Sequence, residues 1–217
     1  GIIGNSPTIT ENTQPGSPVD NDDGSKYNVK PVLVDIDNDG DLDIFIGQDA
    51  SYLGPGTYES IRFFENDGGF TQASLPSGLD DFTNYYINRT APAFYDNDGD
   101  GDLDLFVGRE FGTIQYFRNT DIDVSDPGDV TIGDDPAFIE ETGTLNPFDG
   151  FDAGNNVVIT FIDLDNDGVE EAVIGSGFND PFYFENDGNG NFSEVEGFLN
   201  PFERVDFGDD TSPTTFD

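Results

Sequence analysis

The sequence of 217 residues predicts an all-β fold assembled from repeated units. Three short apolar runs contain β-branched residues and are each followed by a glycine, which is typical of buried strands. They are Leu42–Ile46, Leu103–Val107 and Ala172–Ile174. No stretch has the i, i+3, i+4, i+7 spacing of apolar residues that a surface helix shows. The turn-rich segments Gly54–Gly56, Asp121–Asp135 and Gly188–Gly190 separate the predicted strands.

One motif occurs three times along the chain. It reads DIDNDGDLDIFIG at Asp35–Gly47, DNDGDGDLDLFVG at Asp96–Gly108 and DLDNDGVEEAVIG at Asp163–Gly175. The leading aspartates are separated by 61 residues and then by 67. Such a period predicts stacked supersecondary units.

The flanks of the motif repeat as well. Short runs that begin at Pro31, Pro92 and Ile159 precede the three copies. Aromatic runs that end in asparagine follow them, at Arg62–Asn66, Gln115–Asn119 and Phe182–Asn186. We expect these aromatic side chains to form a core between neighbouring units, although they could instead form a platform for a ligand.

The starts of the runs before each motif divide the chain into three repeats. Repeat 1 covers residues 31–91, repeat 2 covers 92–158 and repeat 3 covers 159–212. Residues 1–30 are interpreted as the remnant of a preceding repeat, because GIIG at Gly1–Gly4 resembles the end of the motif. Residues 213–217, PTTFD, match the run before each motif and predict the start of a fourth repeat. Asp217 would then take the position of Asp35.

The charge of the chain favours cations as partners. The sequence has 46 acidic and 7 basic residues, a formal charge of -39, so nucleic acid and anionic membrane would be repelled. It contains no Cys and no His, which leaves carboxylate and carbonyl oxygens as metal ligands and favours hard cations. No window of 18 or more apolar residues exists, so the sequence predicts no membrane insertion.

Each motif begins as an aspartate-rich loop. The first loop places Asp35, Asp37 and Asp39 at positions 1, 3 and 5, where alternate side chains of a tight loop can converge. The second loop has Asp96, Asp98 and Asp100 there, and the third has Asp163, Asp165 and Asp167. Position 6 is always glycine, which permits the positive φ of a sharp turn.

Two later positions complete the predicted ligand set. Position 9 is acidic in every copy, as Asp43, Asp104 and Glu171. Position 7 is Asp41, Asp102 and Val169. Since position 7 accepts valine, we expect this residue to contribute its backbone carbonyl to a metal.

A bound cation would explain why so many acids are brought together. Two like charges about 4 Å apart repel by about 1 kcal/mol in water and by about 4 kcal/mol at an effective dielectric constant of 20. Ca²⁺ accepts roughly six to eight oxygens in loose geometry, whereas Mg²⁺ prefers a rigid octahedron and keeps its waters. We therefore predict one Ca²⁺ ion in each loop, three in all. An acidic turn without an ion is the alternative.

The EF-hand also begins with D-x-D-x-D-G, but it does not fit this chain. It requires a bidentate glutamate at position 12 and a helix on each side of the loop. Position 12 is here occupied by the apolar residues Ile46, Val107 and Ile174, each in a predicted strand.

The loop D-x-D-x-D-G-x-x-D in a β-hairpin, closed by an apolar–glycine pair and repeated every 61 to 67 residues, resembles the FG-GAP repeats of integrin α-chains. It resembles even more the VCBS and FG-GAP repeats of large secreted or surface proteins of bacteria. The resemblance covers about residues 30–217. It implies that each repeat is one four-stranded antiparallel blade of a β-propeller, with calcium in the loop between adjacent strands. The third copy departs from the pattern, with VEE at residues 169–171 in place of DLD.

The resemblance implies a calcium-stabilised structural or adhesive module of a larger bacterial protein that is secreted or held at the cell surface. A filament-forming protein is one such parent. One alternative is a lectin-like propeller that binds carbohydrate or protein, with Tyr85, Tyr86 and Tyr95 as candidate contacts. Another is an accessory domain of a secreted hydrolase or lyase. We do not expect catalysis in the chain, because it lacks His, Cys and a G-x-S-x-G elbow.

The length predicts an incomplete assembly. At this period 217 residues hold about three and a half units, whereas a propeller typically closes with about four to eight blades. We therefore expect the terminal units to be completed by the rest of a longer chain or by neighbouring copies.

Overall fold

The chain folds into three four-stranded antiparallel sheets, and in each sheet the strands lie in chain order. The computed structural model describes residues 28–52, 58–83, 89–120, 136–203, 205, 207–208 and 211–214. Helical structure in these residues is limited to the short 3₁₀ turns Asp80–Thr83, Gly143–Leu145 and Gly197–Leu199. The predicted all-β fold is confirmed. The sheets are consistent with blades of a propeller, and those described do not close into a ring.

The strands of the three sheets correspond to one another. The first sheet contains β1 (Lys30–Val34), β2 (Asp43–Tyr52), β3 (Tyr58–Asn66) and β4 (Phe70–Ala73). The second contains β5 (Ala91–Tyr95), β6 (Asp104–Gly108), β7 (Ile114–Asn119) and β8 (Phe138–Glu141). The third contains β9 (Val158–Ile162), β10 (Glu171–Gly175), β11 (Phe182–Asn186) and β12 (Phe192–Glu194).

An aspartate-rich loop joins the first two strands of every sheet. We name these segments loop one (Asp35–Asp43), loop two (Asp96–Asp104) and loop three (Asp163–Glu171). The residue before each loop pairs with position 9, in the pairs Val34 with Asp43, Tyr95 with Asp104 and Ile162 with Glu171. Each loop is therefore the turn of an antiparallel hairpin, and its two ends are held together by the strand ladder.

Aromatic side chains fill the space between the first and second sheets. Phe45 and Phe63 lie on the facing side of the first sheet, with ring centroids 4.7 Å apart. Phe117 of the second sheet packs against Phe82, with ring centroids 5.3 Å apart. Phe82 belongs to the 3₁₀ turn in the connection between the two sheets. The predicted aromatic core between neighbouring units is observed here.

A second core of the same kind joins the second and third sheets. Phe106 of β6 lies at its centre, with ring centroids 4.7 Å from Tyr116 and 4.9 Å from Phe161 of β9. Phe148, in the segment between these sheets, packs edge-on to Phe106 and Phe184. The sheets thus form a series in which each packs against the next.

The backbones of neighbouring sheets come into direct contact at one glycine of the first sheet and one of the second. A Cβ atom on Gly47 would overlap the carbonyl oxygen of Thr90, which leads into β5. A Cβ on Gly108 would overlap the carbonyl oxygen of Val157, which leads into β9, in the same way. The backbone N–H of Thr90 donates to the carbonyl of Gln48 at 3.3 Å. This close approach positions each first strand against the preceding sheet.

Some predicted features lie outside the described residues. They are residues 1–27 of the predicted N-terminal remnant, the predicted turn segments Gly54–Gly56 and Asp121–Asp135, the candidate ligand residues Tyr85 and Tyr86, and residues 215–217 of the predicted fourth repeat. In the part of the chain that the structure describes, no helix has the length and apolar character needed to cross a membrane.

We expect Gly47→Ala to lower the free energy of unfolding by about 1–3 kcal/mol, because the new methyl group must displace the backbone of Thr90. Gly69→Ala is the matched control, since no atom lies within 4 Å of a Cβ at that position, and it should change stability by less than about 0.5 kcal/mol. Chemical denaturation of both variants measures the difference. Equal stabilities would contradict the backbone contact between the sheets.

Candidate metal sites

The backbone of each loop turns sharply at position 6. Gly40, Gly101 and Gly168 have φ values of 92°, 104° and 92°, which are strained for residues with side chains. Their N–H groups donate to Oδ2 of the position-1 aspartate at 3.1, 3.1 and 3.0 Å. The glycine therefore directs one oxygen of that aspartate into the turn.

Position 4 also has a positive φ, which the sequence analysis did not identify. The residues there are Asn38, Gly99 and Asn166, with φ of 56°, 75° and 62°. Asparagine and glycine tolerate this conformation best, so the recurrence of Asn or Gly between positions 3 and 5 was the available signal.

Further hydrogen bonds orient the acidic side chains. The N–H of position 7 donates to Oδ1 of position 5 at 2.8, 3.1 and 2.9 Å in loops one, two and three. The N–H of position 5 donates to Oδ1 of position 3 at 3.3, 3.3 and 3.1 Å. The same bonds thus recur in all three loops, including loop three with its different sequence after position 6.

The loops bring carboxylate oxygens together as predicted for positions 1, 3 and 5. One oxygen from each residue lies within 4.8 Å of the others in every loop. The groups are Asp35, Asp37 and Asp39; Asp96, Asp98 and Asp100; and Asp163, Asp165 and Asp167. Oxygens at this spacing could hold a cation of suitable size.

Position 9 differs among the loops. Glu171 belongs to the group of loop three, whereas the groups of loops one and two contain only positions 1, 3 and 5. Glutamate is one methylene longer than aspartate, so its carboxylate extends further from the strand. The binding of a cation by Asp43 and Asp104 stays a prediction, as does the role of the carbonyl at position 7.

The position-9 carboxylates are buried. Burial raises the pKa of Asp43 to about 6 and that of Asp104 to about 7, despite hydrogen bonds that favour the charged forms. Burial also raises the pKa of Glu171, with further increases from the aspartates of loop three. A negative charge at position 9 is thus unfavourable in the metal-free chain, and a nearby cation would offset it.

Loop one also contains a buried oxygen with unused hydrogen-bonding capacity. Oδ1 of Asp35 is buried and has no hydrogen-bond partner. Leaving such an atom unsatisfied is costly, and a cation would complete its coordination. The donor set, made of carboxylate oxygens, is the chemistry that hard cations such as Ca²⁺ prefer.

The asparagine that ends the third strand of each sheet fastens the loop to that strand. The side-chain nitrogens of Asn66, Asn119 and Asn186 donate to the carbonyl of position 8 at 3.1, 3.4 and 3.1 Å. The backbone N–H groups of Asn66 and Asn119 also donate to the position-9 aspartate, at 2.9 and 2.7 Å. The recurrence of asparagine at the end of every aromatic run was the signal in the sequence for this shared role.

Loop two has an additional support from an aromatic residue. The hydroxyl of Tyr116 donates to Oδ2 of Asp104 at 2.8 Å, and the N–H of Asn97 donates to the same oxygen at 3.1 Å. Burial and the nearby carboxylate of Asp104 raise the pKa of Tyr116, so this hydroxyl remains a donor.

Tyr95, one of the three tyrosines predicted as lectin-like contacts, is used in packing between sheets. Its ring stacks on Phe161 with a centroid distance of 4.9 Å and an interplanar angle of 19°. Its hydroxyl accepts a hydrogen bond from Asn186 at 2.9 Å. These contacts do not favour a carbohydrate-binding role for Tyr95.

The fold and its loops define a class of protein in which each four-stranded sheet contains one acidic turn in its first hairpin. Residues 35–107 match the family model described as an FG-GAP-like repeat. The match covers loop one, the connection between the first two sheets and loop two, and it confirms the resemblance over those residues. A search of curated proteins finds no match.

We expect Asn119→Ala to lower the free energy of unfolding of the metal-free protein by about 1–3 kcal/mol, because it removes the bond to the carbonyl of Leu103 in loop two and leaves the half-buried N–H of Ala137 without its acceptor. Asn189→Ala, in the exposed turn between β11 and β12, is the control and should cost less than about 0.5 kcal/mol. Urea denaturation in the presence of chelator measures both values. If the two variants lose equal stability, the asparagine does not fasten the loop.

Proposed function

We propose that the protein is a calcium-binding repeat module in which each loop binds one Ca²⁺ ion and thereby stabilises its sheet. The observation that carries this proposal is the convergence of carboxylates from positions 1, 3 and 5 in all three loops. Position 9 and the carbonyls of Asp41, Asp102 and Val169 would complete the coordination.

Calcium suits these loops better than magnesium. Ca²⁺ takes about six to eight oxygens in loose geometry, and four carboxylates with one backbone carbonyl can supply most of them. Mg²⁺ requires a nearly ideal octahedron and gives up its waters reluctantly. The cation would supply positive charge among carboxylates whose pKa values burial has raised, such as that of Asp104.

We further propose that the module is extracellular and has a structural or adhesive role rather than a catalytic one. The family resemblance supports this location, and calcium outside cells reaches about millimolar levels, which saturate even weak sites. The carboxylates in the loops are assigned to the cation, and the chain contains no His or Cys for acid–base or nucleophilic catalysis.

We also propose that a further sheet packs after the third one, supplied by a longer chain or by another copy. Thr211 and Pro213 approach Gly175 as Thr90 and Pro92 approach Gly47. The N–H of Thr211 donates to the carbonyl of Ser176 at 3.0 Å, in the place of the bond from Thr90 to Gln48. The segment at Thr211 thus enters along the path of a first strand.

Removal of calcium should lower the melting temperature. A site with free calcium at about 100 times its Kd adds about 2.7 kcal/mol, so excess chelator should lower Tm by at least about 5 °C. Differential scanning calorimetry with calcium, with chelator, and with chelator plus excess magnesium measures the effect. Melting that is the same in all three conditions would overturn the proposed function.

The ligand set can be tested in loop one. Asp37→Asn removes a charged ligand and should weaken calcium binding in that loop by at least about tenfold, whereas Asp41→Val should change it by less than about threefold. The second variant copies Val169 and keeps the backbone carbonyl. Isothermal titration calorimetry of both variants measures the affinities. An equally damaging Asp41→Val would show that the side chain, not the carbonyl, binds calcium.

A further inference from the structure

The side chain of Asn186 joins loop three to Tyr95, the last residue of β5 before loop two. Its Nδ2 donates one hydrogen bond to the carbonyl oxygen of Glu170 at 3.1 Å and another to the hydroxyl of Tyr95 at 2.9 Å. Glu170 directly precedes Glu171, position 9 of loop three. Tyr95 directly precedes Asp96, position 1 of loop two. Because one nitrogen carries both donors, a displacement at either acceptor is transmitted to the other.

The turn between β11 and β12 makes a second contact with loop two. A Cβ atom on Gly190 would overlap the carbonyl oxygen of Asn97 and would lie 2.9 Å from its Nδ2. Asn97 is position 2 of loop two, and its N–H donates to Asp104 at 3.1 Å. This turn of the third sheet therefore lies directly against a loop of the second sheet.

The ring of Tyr95 completes the connection. It stacks on Phe161 and lies edge-on to Phe192 of β12, with centroid distances of 4.9 and 6.2 Å. Phe161 lies two residues before Asp163, position 1 of loop three. The entrances of loops two and three are therefore held together by both aromatic packing and a hydrogen bond.

The first pair of loops cannot form the same hydrogen bond. On β1 the place of Tyr95 is taken by Val34, which has no polar side-chain atom. Asn119, the counterpart of Asn186, donates its amide within its own sheet to Leu103 at 3.4 Å. Loops one and two therefore provide an internal comparison for the contact between loops two and three.

We propose that cation binding in loop two and cation binding in loop three are coupled through Tyr95 and Asn186. This inference rests on the proposed binding of calcium by the loops. When a cation orders loop two, Tyr95 and Asn97 become fixed. The hydroxyl of Tyr95 then positions the side chain of Asn186, which in turn holds the carbonyl of Glu170 in loop three. Loop three then binds calcium more tightly, and by linkage loop two gains affinity by the same factor when loop three is filled. The factor expected from one hydrogen bond is on the order of fivefold.

The position-6 glycines provide a separate reporter for each loop. The N–H groups of Gly40, Gly101 and Gly168 each donate to the position-1 aspartate of their own loop. In an NMR titration of the whole chain with calcium, at about 0.15 M ionic strength to screen distant charges, their cross-peaks give one affinity per loop.

Asp98→Asn combined with Asp100→Asn removes two charged ligands and so disables loop two. The turn itself should keep its shape, because the Oδ1 atom of each asparagine can still accept the backbone hydrogen bond that the aspartate accepted. The matched control is Asp37→Asn combined with Asp39→Asn, which makes the same change of charge in loop one. We expect the calcium affinity of loop three to fall about fivefold in the first variant and to stay unchanged in the control.

Tyr95→Phe tests the link itself, because it removes the hydroxyl and keeps the ring on Phe161. In this background, disabling loop two should change the affinity of loop three by less than about twofold, because only the ring of Tyr95 on Phe161 and the contact of Gly190 with Asn97 still join the two loops. Tyr183→Phe is the control, since the hydroxyl of Tyr183 donates to Glu185 on the same strand at 3.2 Å, and it should preserve the coupling.

The outcomes separate two kinds of failure. If no glycine cross-peak responds to calcium, the proposed function is wrong and the coupling falls with it. If all three cross-peaks respond but the calcium affinity of loop three is the same whether or not loop two is disabled, only the coupling is overturned. Coupling that keeps its full size in Tyr95→Phe would also overturn the assigned link.

Discussion

The convergence of like charges in the first hairpin of each sheet is the constraint on which the rest of the structure depends. Three aspartate oxygens approach within 4.8 Å of one another at every turn. The strand ladder prevents the turn from relaxing, because Val34 pairs with Asp43 and the equivalent pairs close the other loops. The repulsion is therefore built into the same hairpins that form the sheets, and fold and cation site form one unit.

The contacts around the loops spread this constraint beyond the hairpin. Asparagines at the ends of the third strands hold position 8, and buried carboxylates at position 9 accept hydrogen bonds from those strands. Between the second and third sheets, Asn186 and Tyr95 extend the connection to a neighbouring loop. Local order in a loop is thus connected to the packing of whole sheets.

The parts of the structure that could be predicted from sequence are those with a strong local signal. Aspartates at alternating positions before a glycine predict the loops, and short apolar runs such as Leu103–Val107 predict the second strands. The fourth strands came only from the family resemblance, because β12 is a short, mostly exposed segment without a clear pattern. Glu171 joins the acidic group of its loop whereas Asp43 and Asp104 do not, and this difference depends on the length of the side chain. The hydrogen bond from Asn186 to Tyr95 joins residues 91 positions apart. Neither can be derived from spacing along the chain.

The fourth strands of the sheets have a consequence for how the protein behaves at high concentration. β4 and β8 are four residues long and β12 is three, and their outward positions include Gln72, Glu140 and Glu194. A strand from another molecule could pair with such an edge over only a few residues and would meet polar or acidic side chains there. Short edges of this kind, polar in β4 and acidic in β8 and β12, oppose the growth of amyloid-like aggregates from these sheets.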